Sequence, residues 1–87
     1  MPKYALAPGL VCRDAGGETV IVRISTGEYF GLNPTAAFIL KALLAGESAV
    51  PYAEEFGIGA SQAEADFQDV QKELVELGLL ICPLGGV

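Results

Sequence analysis

Residues 27–46, GEYFGLNPTAAFILKALLAG, change hydrophobic rhythm in the middle. The stretch begins with aromatic, strand-like positions, turns at Asn33-Pro34, and continues as an almost unbroken apolar run that closes on Gly46. In the first part a period of two puts Phe30 and Leu32 on one face and Tyr29 and Gly31 on the other. Glycine is a weak strand former, so Gly31 predicts either a bulge or a close approach by another backbone. In the second part Asn33 is a helix cap that accepts from free backbone N–H groups, and Pro34 suits the first helical position because no donor is needed there. The predicted helix covers 34–45. Apart from Thr35 and Lys41 its residues are apolar on every side, so it must touch both a sheet and other helices.

Upstream, the chain reads as two more short strands. Residues 10–13 form the first, the turn 14–17 holds two glycines able to take positive φ, and the β-branched run 19–24 (TVIVRI) forms the second. Ser25, Thr26 and Gly27 turn the chain again into the third strand, 28–32. Turns this short force antiparallel neighbours, and the third strand, last in the meander, is an edge.

Downstream, a short helix over 51–56 presents Tyr52, Ala53 and Phe56 on one side and stops at Gly57. A tight connection leads to a third helix that Ser61 opens, with Glu64 three positions later in a capping-box arrangement. Ala63, Phe67, Val70, Leu74 and Leu77 recur at three- and four-residue spacing and predict a core-facing stripe. Gly78 ends that helix, and 79–82 reads as a short extended segment. Three strands followed by three helices give one α+β domain over 1–87, and two helices joined by a tight turn beside a hairpin give it a winged helix-turn-helix-like outline.

At 87 residues and 52% hydrophobic content the chain can bury a core without disulfides, and disorder is excluded. Lys41 interrupts the best apolar run well short of a membrane span. The opening MPKYALAPGLVCRD lacks the basic end and long apolar centre of a signal peptide, so the expected location is the cytoplasm. Cys12 and Cys82 each follow apolar residues and read as buried, reduced thiols, with a disulfide between strand ends as the alternative.

The chain contains no histidine. With two cysteines and no third, a conventional zinc site is excluded, as are Ser-His and Cys-His nucleophile pairs. GGETV and GIGAS lack the lysine and spacing of a phosphate loop. The reading is therefore a protein without catalytic residues, metal or cofactor. The formal net charge is −6, and the third helix carries Glu64, Asp66, Asp69, Glu73 and Glu76 against Lys72 alone. A recognition helix gains affinity for DNA by neutralising phosphates with Lys and Arg, so this one should repel it. A DNA-binding regulator stays the reading from a different class, exposed by a low-salt gel shift.

A binding module remains. An exposed sheet edge accepts an extended peptide as an added strand, and the flanking helix of about 16 residues, roughly 24 Å long, can line about seven residues of such a guest. Open edges also pair with copies of themselves, so a homodimer through the third strand is a second expectation.

The residues GEYFGLNPTAAFILKALLAGES, followed by DFQDVQKELVELGLL, resemble the PqqD-like family, also called RiPP recognition elements. The resemblance spans residues 8–80 and rests on the combination G-x-Y-x-x-L-N with D-V-x-x-x-L-x-x-x-G-L-L. The pyrroloquinoline quinone chaperone tends to carry Pro-Glu where Leu32-Asn33 stands here. The chain is more similar to the small stand-alone leader-binding proteins of lasso peptide clusters. The resemblance implies binding of the N-terminal leader of a ribosomally made precursor and its presentation to a leader peptidase and cyclase. An alternative within the family is leader binding for a radical enzyme that modifies another peptide. It also implies that the leader adds antiparallel to the third strand and packs against the third helix. Carried over by position, Glu28, Tyr29, Phe30, Gly31 and Leu32 form the receiving strand, Phe67, Val70 and Leu74 the apolar floor, and Asp66, Asp69 and Glu73 an acidic wall.

Overall fold

The computed structural model describes residues 3–82. In chain order the elements are β1 (Ala5–Leu6), β2 (Leu10–Ala15), β3 (Glu18–Arg23), β4 (Tyr29–Leu32), α1 (Pro34–Ala45), α2 (Val50–Phe56), α3 (Ala60–Glu76) and β5 (Leu80–Ile81). The central sheet has the order β2-β3-β4, antiparallel throughout, and three helices follow it, so the fold is α+β with the expected outline.

The meander follows from its turns. Gly16 and Gly17 sit at φ 58° and 84° between the paired residues Ala15 and Glu18, a two-residue turn whose twist matches that of the strands and whose positive φ values favour glycine. At the other end a longer loop is closed by Arg23 N–H donating to the Glu28 carbonyl at 2.8 Å and by Gly27 N–H donating to the Arg23 carbonyl at 2.8 Å. The strand expected over 19–24 therefore stops at Arg23, and Ile24 is exposed.

Asn33 caps α1 as expected, its Oδ1 accepting from Ala36 N–H at 2.8 Å, and Pro34 takes the first turn. The helix ends where Gly46 adopts a left-handed conformation and Glu47 N–H reaches back to the Ala42 carbonyl at 2.8 Å. Ile39, Leu40, Ala42 and Leu43 of α1 join Ile21 of β3, Tyr52 of α2, and Ala63, Phe67 and Leu74 of α3 in one buried cluster. Burying each of these large side chains contributes about 1.5–3 kcal/mol, so α1, which meets β1, β3, β4, α2 and α3, is the beam of the structure. Its one charged residue, Lys41, stays at the surface and bonds Asp14 of β2 at 3.2 Å.

Four expectations change on contact with the structure. No bulge occurs at Gly31, because Val20 pairs with Gly31 in an unbroken register from Thr19–Leu32 to Val22–Tyr29. The capping box at Ser61 is absent, because α3 begins at Ala60 with Gly59 as its cap and without a side-chain cap bond, which leaves Ser61 inside the first turn. Leu77 is not core but 46% exposed, since α3 gives way at its last turn to Gly78 and β5. Cys12 and Cys82 are free thiols, half-buried rather than fully buried.

The extended segment expected at 79–82 is present as β5. What the sequence did not suggest is its partner: β1, at the opposite end of the chain, pairs Ala5 with Ile81 and Leu6 with Leu80, and Ala7 N–H donates to the Leu79 carbonyl at 3.0 Å. This clip holds Leu79 and Leu80 in the core at the end of α3.

Candidate peptide-binding groove

The alternation of an antiparallel ladder decides which backbone groups of β4 are available. Residues opposite one another either exchange both hydrogen bonds or neither, in turn along the strand. The bond between Arg23 N–H and the Glu28 carbonyl fixes the phase. Glu28, Phe30 and Leu32 then direct their backbone groups at β3, and Tyr29 and Gly31 direct theirs away from it. The bond from Ile24 N–H to the Gly9 carbonyl, at 3.0 Å on the other flank, gives the same phase for β3. Among the described residues β4 has no second strand beside it. Its outer edge therefore displays the donors and acceptors of Tyr29 and Gly31.

A groove of about 370 Å³ runs beside this edge. Phe30, Gly31 and Leu32 form its strand wall, Asn33 and Ala36 one end, and Val70, Glu73, Leu74 and Leu77 the helix wall, with Leu79 also lining it. The helix residues recur at three- and four-residue spacing, which keeps them on one face of α3. Phe30 and Leu32 lean inward as the period of two requires, and the Arg23 guanidinium lies 5.9 Å from the Phe30 ring centroid. The side chains of the groove are thus mostly apolar, with Asn33 at one end and one carboxylate, Glu73, on the helix side.

Of the residues singled out from the sequence, Phe30, Gly31, Leu32, Val70, Glu73 and Leu74 come together here. Others do not. Glu28 sits in the hairpin loop, where its carboxylate lies 3.3 Å from Arg23 Nε and accepts from Thr26 Oγ1 at 3.1 Å. Tyr29 projects from the opposite face of the sheet and is 75% exposed, so only its backbone faces the edge. Phe67 is buried in the core on the side of α3 toward Leu43 and Tyr4. Asp66 accepts from Tyr52 Oη at 2.9 Å and from Gln62 Nε2 at 2.7 Å, which ties it to α2. Asp69 is exposed and does not line the groove. An acidic wall of three residues therefore reduces to Glu73. Asn33, Ala36, Leu77 and Leu79 line the groove without having been singled out for it. For Leu77 the signal existed, since it lies one heptad beyond Val70.

The ionisable groups whose pKa values move lie elsewhere. Burial pushes the Tyr52 hydroxyl up, and the bond to the Asp66 carboxylate adds to that. Burial likewise raises the Cys12 thiol, with Asp14 contributing, so it stays protonated and weakly nucleophilic at neutral pH. Among the described residues no cluster of three or more His, Cys, Asp or Glu side chains is arranged to hold a metal ion. Among the same residues no helix is long and apolar enough to cross a membrane. A larger recess of about 650 Å³ lies across α3 between Gln68, Gln71, Val75 and β5, but its rim there is the β1–β5 clip, where Gln71 Nε2 donates to Tyr4 Oη at 2.6 Å. It borders no part of β4.

The family model described as coenzyme PQQ synthesis protein D (PqqD) matches residues 18–80, from the start of β3 to β5. The chain belongs to the PqqD family. Two solved structures are similar to this PqqD-family protein. One, "Lasso peptide synthetase B1 complexed with the leader peptide", is 28% identical with a TM-score of 0.78, and the match covers 91% of this chain and 98% of that one. The other, "TbiB1 in Complex with the TbiA(beta) Leader Peptide", is 24% identical with a TM-score of 0.74 over 86% of this chain and 92% of that one, a likeness of fold. No curated protein sequence matches this PqqD-family chain.

Proposed function

We propose that this PqqD-family protein is a non-catalytic recognition module for the leader of a ribosomally synthesised precursor, most simply a lasso peptide precursor. The observation that carries the reading is the open β4 edge set beside an apolar groove, in a chain similar over almost its whole length to a lasso peptide synthetase B1 captured with a leader peptide. The leader lies antiparallel to β4 and exchanges backbone bonds with Tyr29 and Gly31. Its residues opposite Phe30 and Leu32 then point into the groove, because directly paired residues of an antiparallel ladder share a face. A leader with apolar anchors at alternate positions fits Val70, Leu74 and Leu77, and a Lys or Arg near them meets Glu73.

Residues 1–87 act in this reading as a single cytoplasmic domain that needs no cofactor. The protein holds the leader while a separate peptidase cuts it and a cyclase closes the ring. Fluorescence polarisation with the labelled leader of the precursor encoded beside this chain tests the idea. Saturable binding in the micromolar range or tighter is expected, and its absence would end the proposal.

A further inference from the structure

Gly31 has no internal reason to be glycine. Its φ lies outside the left-handed region, it keeps regular pairing with Val20, and a Cβ built on it would meet nothing within 4 Å. Neither the backbone conformation nor the packing of the described chain excludes a side chain there. Yet glycine within a strand is destabilising relative to alanine, because it loses more backbone freedom on folding and has no side chain to pack. The position is also one of the two whose backbone groups face the open edge. The space above it opens on the outer face of the sheet, with Val20 beside it on the neighbouring strand and Tyr29 two residues along the same strand.

We propose that Gly31 is a slot for a large, flat side chain of the guest strand, an aromatic one. The inference rests on the peptide-binding reading above and adds a specificity determinant to it. The guest residue that exchanges hydrogen bonds with Gly31 points to the same outer face as Gly31 would. With no Cβ in the way, its ring lies across the glycine backbone toward Val20, flanked by Tyr29, and covers surface that the free protein leaves wet. An aromatic residue across from a strand glycine restores the packing that the glycine lacks. The leader is therefore read on two faces: apolar anchors in the groove, and between them one aromatic residue on the opposite side.

The test compares wild type with G31A and G31V, using the fluorescein-labelled leader of the neighbouring precursor and its single-alanine variants. Thermal melting of the free variants should match or exceed wild type, because nothing in the fold requires glycine at this position. G31V should bind the leader about tenfold more weakly. One aromatic residue of the leader should cost wild type a similar factor when changed to alanine and cost G31V nothing further. Equal affinity of G31V and wild type, or independent losses from the two changes, overturns the slot. Should G31V melt early, G31A carries the same comparison with a smaller loss. A wild type that binds no leader refutes the functional reading itself, which separates that failure from this one.

Discussion

The central sheet has two outer strands, β2 and β4, and they are finished differently. β2 is six residues long and carries charge: Asp14 is bonded to Thr19 across the ladder and to Lys41 of α1. Charged side chains are a common way to keep an edge from recruiting another strand. β4 is four residues long, carries no ionised side chain, and overlooks an apolar groove. A third short strand, β5, would also be an edge, but β1 covers it with the protein's own backbone. The chain thus guards one edge by charge and another by self-pairing, and leaves β4 unguarded beside the helix best placed to receive side chains. The edge left open in this company is the one to which the proposed guest strand would add.

Proline substitution along β4 should break that comparison most sharply. At Gly31 the N–H faces outward, so G31P removes a bond to the guest and none within the sheet. We expect leader affinity to fall by about 2–3 kcal/mol, on the order of 30- to 150-fold, with little change in melting temperature. At Phe30 the N–H faces Ile21, so F30P should destabilise the fold itself by about 3 kcal/mol or more. Chemical denaturation and polarisation on the same two proteins separate the effects. Loss of stability in G31P with binding retained would put the wrong residues at the edge.

The helix wall comes next. Val70 is half-buried and lines the groove, so V70D places a charge on its apolar surface and should weaken leader binding by about tenfold or more while the protein stays folded. A full-affinity V70D measured by calorimetry would move the guest off α3.

How much of this was legible in the sequence depends on distance along the chain. Asn33, Pro34 and Gly46 announced α1 because capping is settled within a turn of helix, and the glycine pair at 16–17 announced the hairpin for the same reason. Ser61 misled because Gly59, two residues earlier, is already the cap of α3, and a shift of that size moves a serine from cap to first turn. The β1–β5 clip was invisible. Two-residue strands have no periodicity to read, and the pairing joins the two ends of the chain. The face of α3 was legible, but not which acid borders the groove. Asp66 lies one turn before Val70 on nearly the same stripe, but its carboxylate is held by Gln62 one turn earlier and by the Tyr52 hydroxyl, which another helix supplies. No count of acids along α3 contains that bond.

The distinction between Asp66 and Glu73 gives the next effect in size. D66A removes the acceptor of the part-buried Tyr52 hydroxyl and should cost about 1–2 kcal/mol of stability, with leader affinity nearly unchanged. It should also let the Tyr52 hydroxyl ionise at a lower pH. In wild type that group's raised pKa gives a contribution that is full below pH 10 and is lost as pH rises through the folded value. E73Q should do the reverse, leaving melting unaltered while association with a basic leader slows two- to fivefold, roughly, and becomes less sensitive to salt. Stopped-flow rates at two ionic strengths distinguish the two carboxylates, and a salt response altered by D66A but not by E73Q would exchange their roles.

The smallest expected effect concerns the guarded edge. Hydrogen bonds from Thr19, at 2.6 Å, and from Lys41 hold the Asp14 carboxyl below its ordinary value of 3.8. A depressed folded-state pKa means that the folded protein releases this proton more readily than the unfolded chain. The contribution is therefore complete above about pH 4 and disappears as pH falls through the folded value. The pair is exposed, so the change in melting temperature is slight, and D14N should flatten the acid limb of the melting curve between pH 4 and 2 without altering leader affinity at pH 7. The same variant also removes the one negative charge of β2, leaving Arg13 as its charged residue. If charge is what keeps strands away from β2, D14N should show a greater tendency to self-associate at high concentration, and adding K41M should strengthen it, with one leader still bound per chain. A second leader bound to D14N, measured by calorimetric stoichiometry, would mean that the two edges differ only in charge, and that the groove beside β4 contributes nothing to choosing between them.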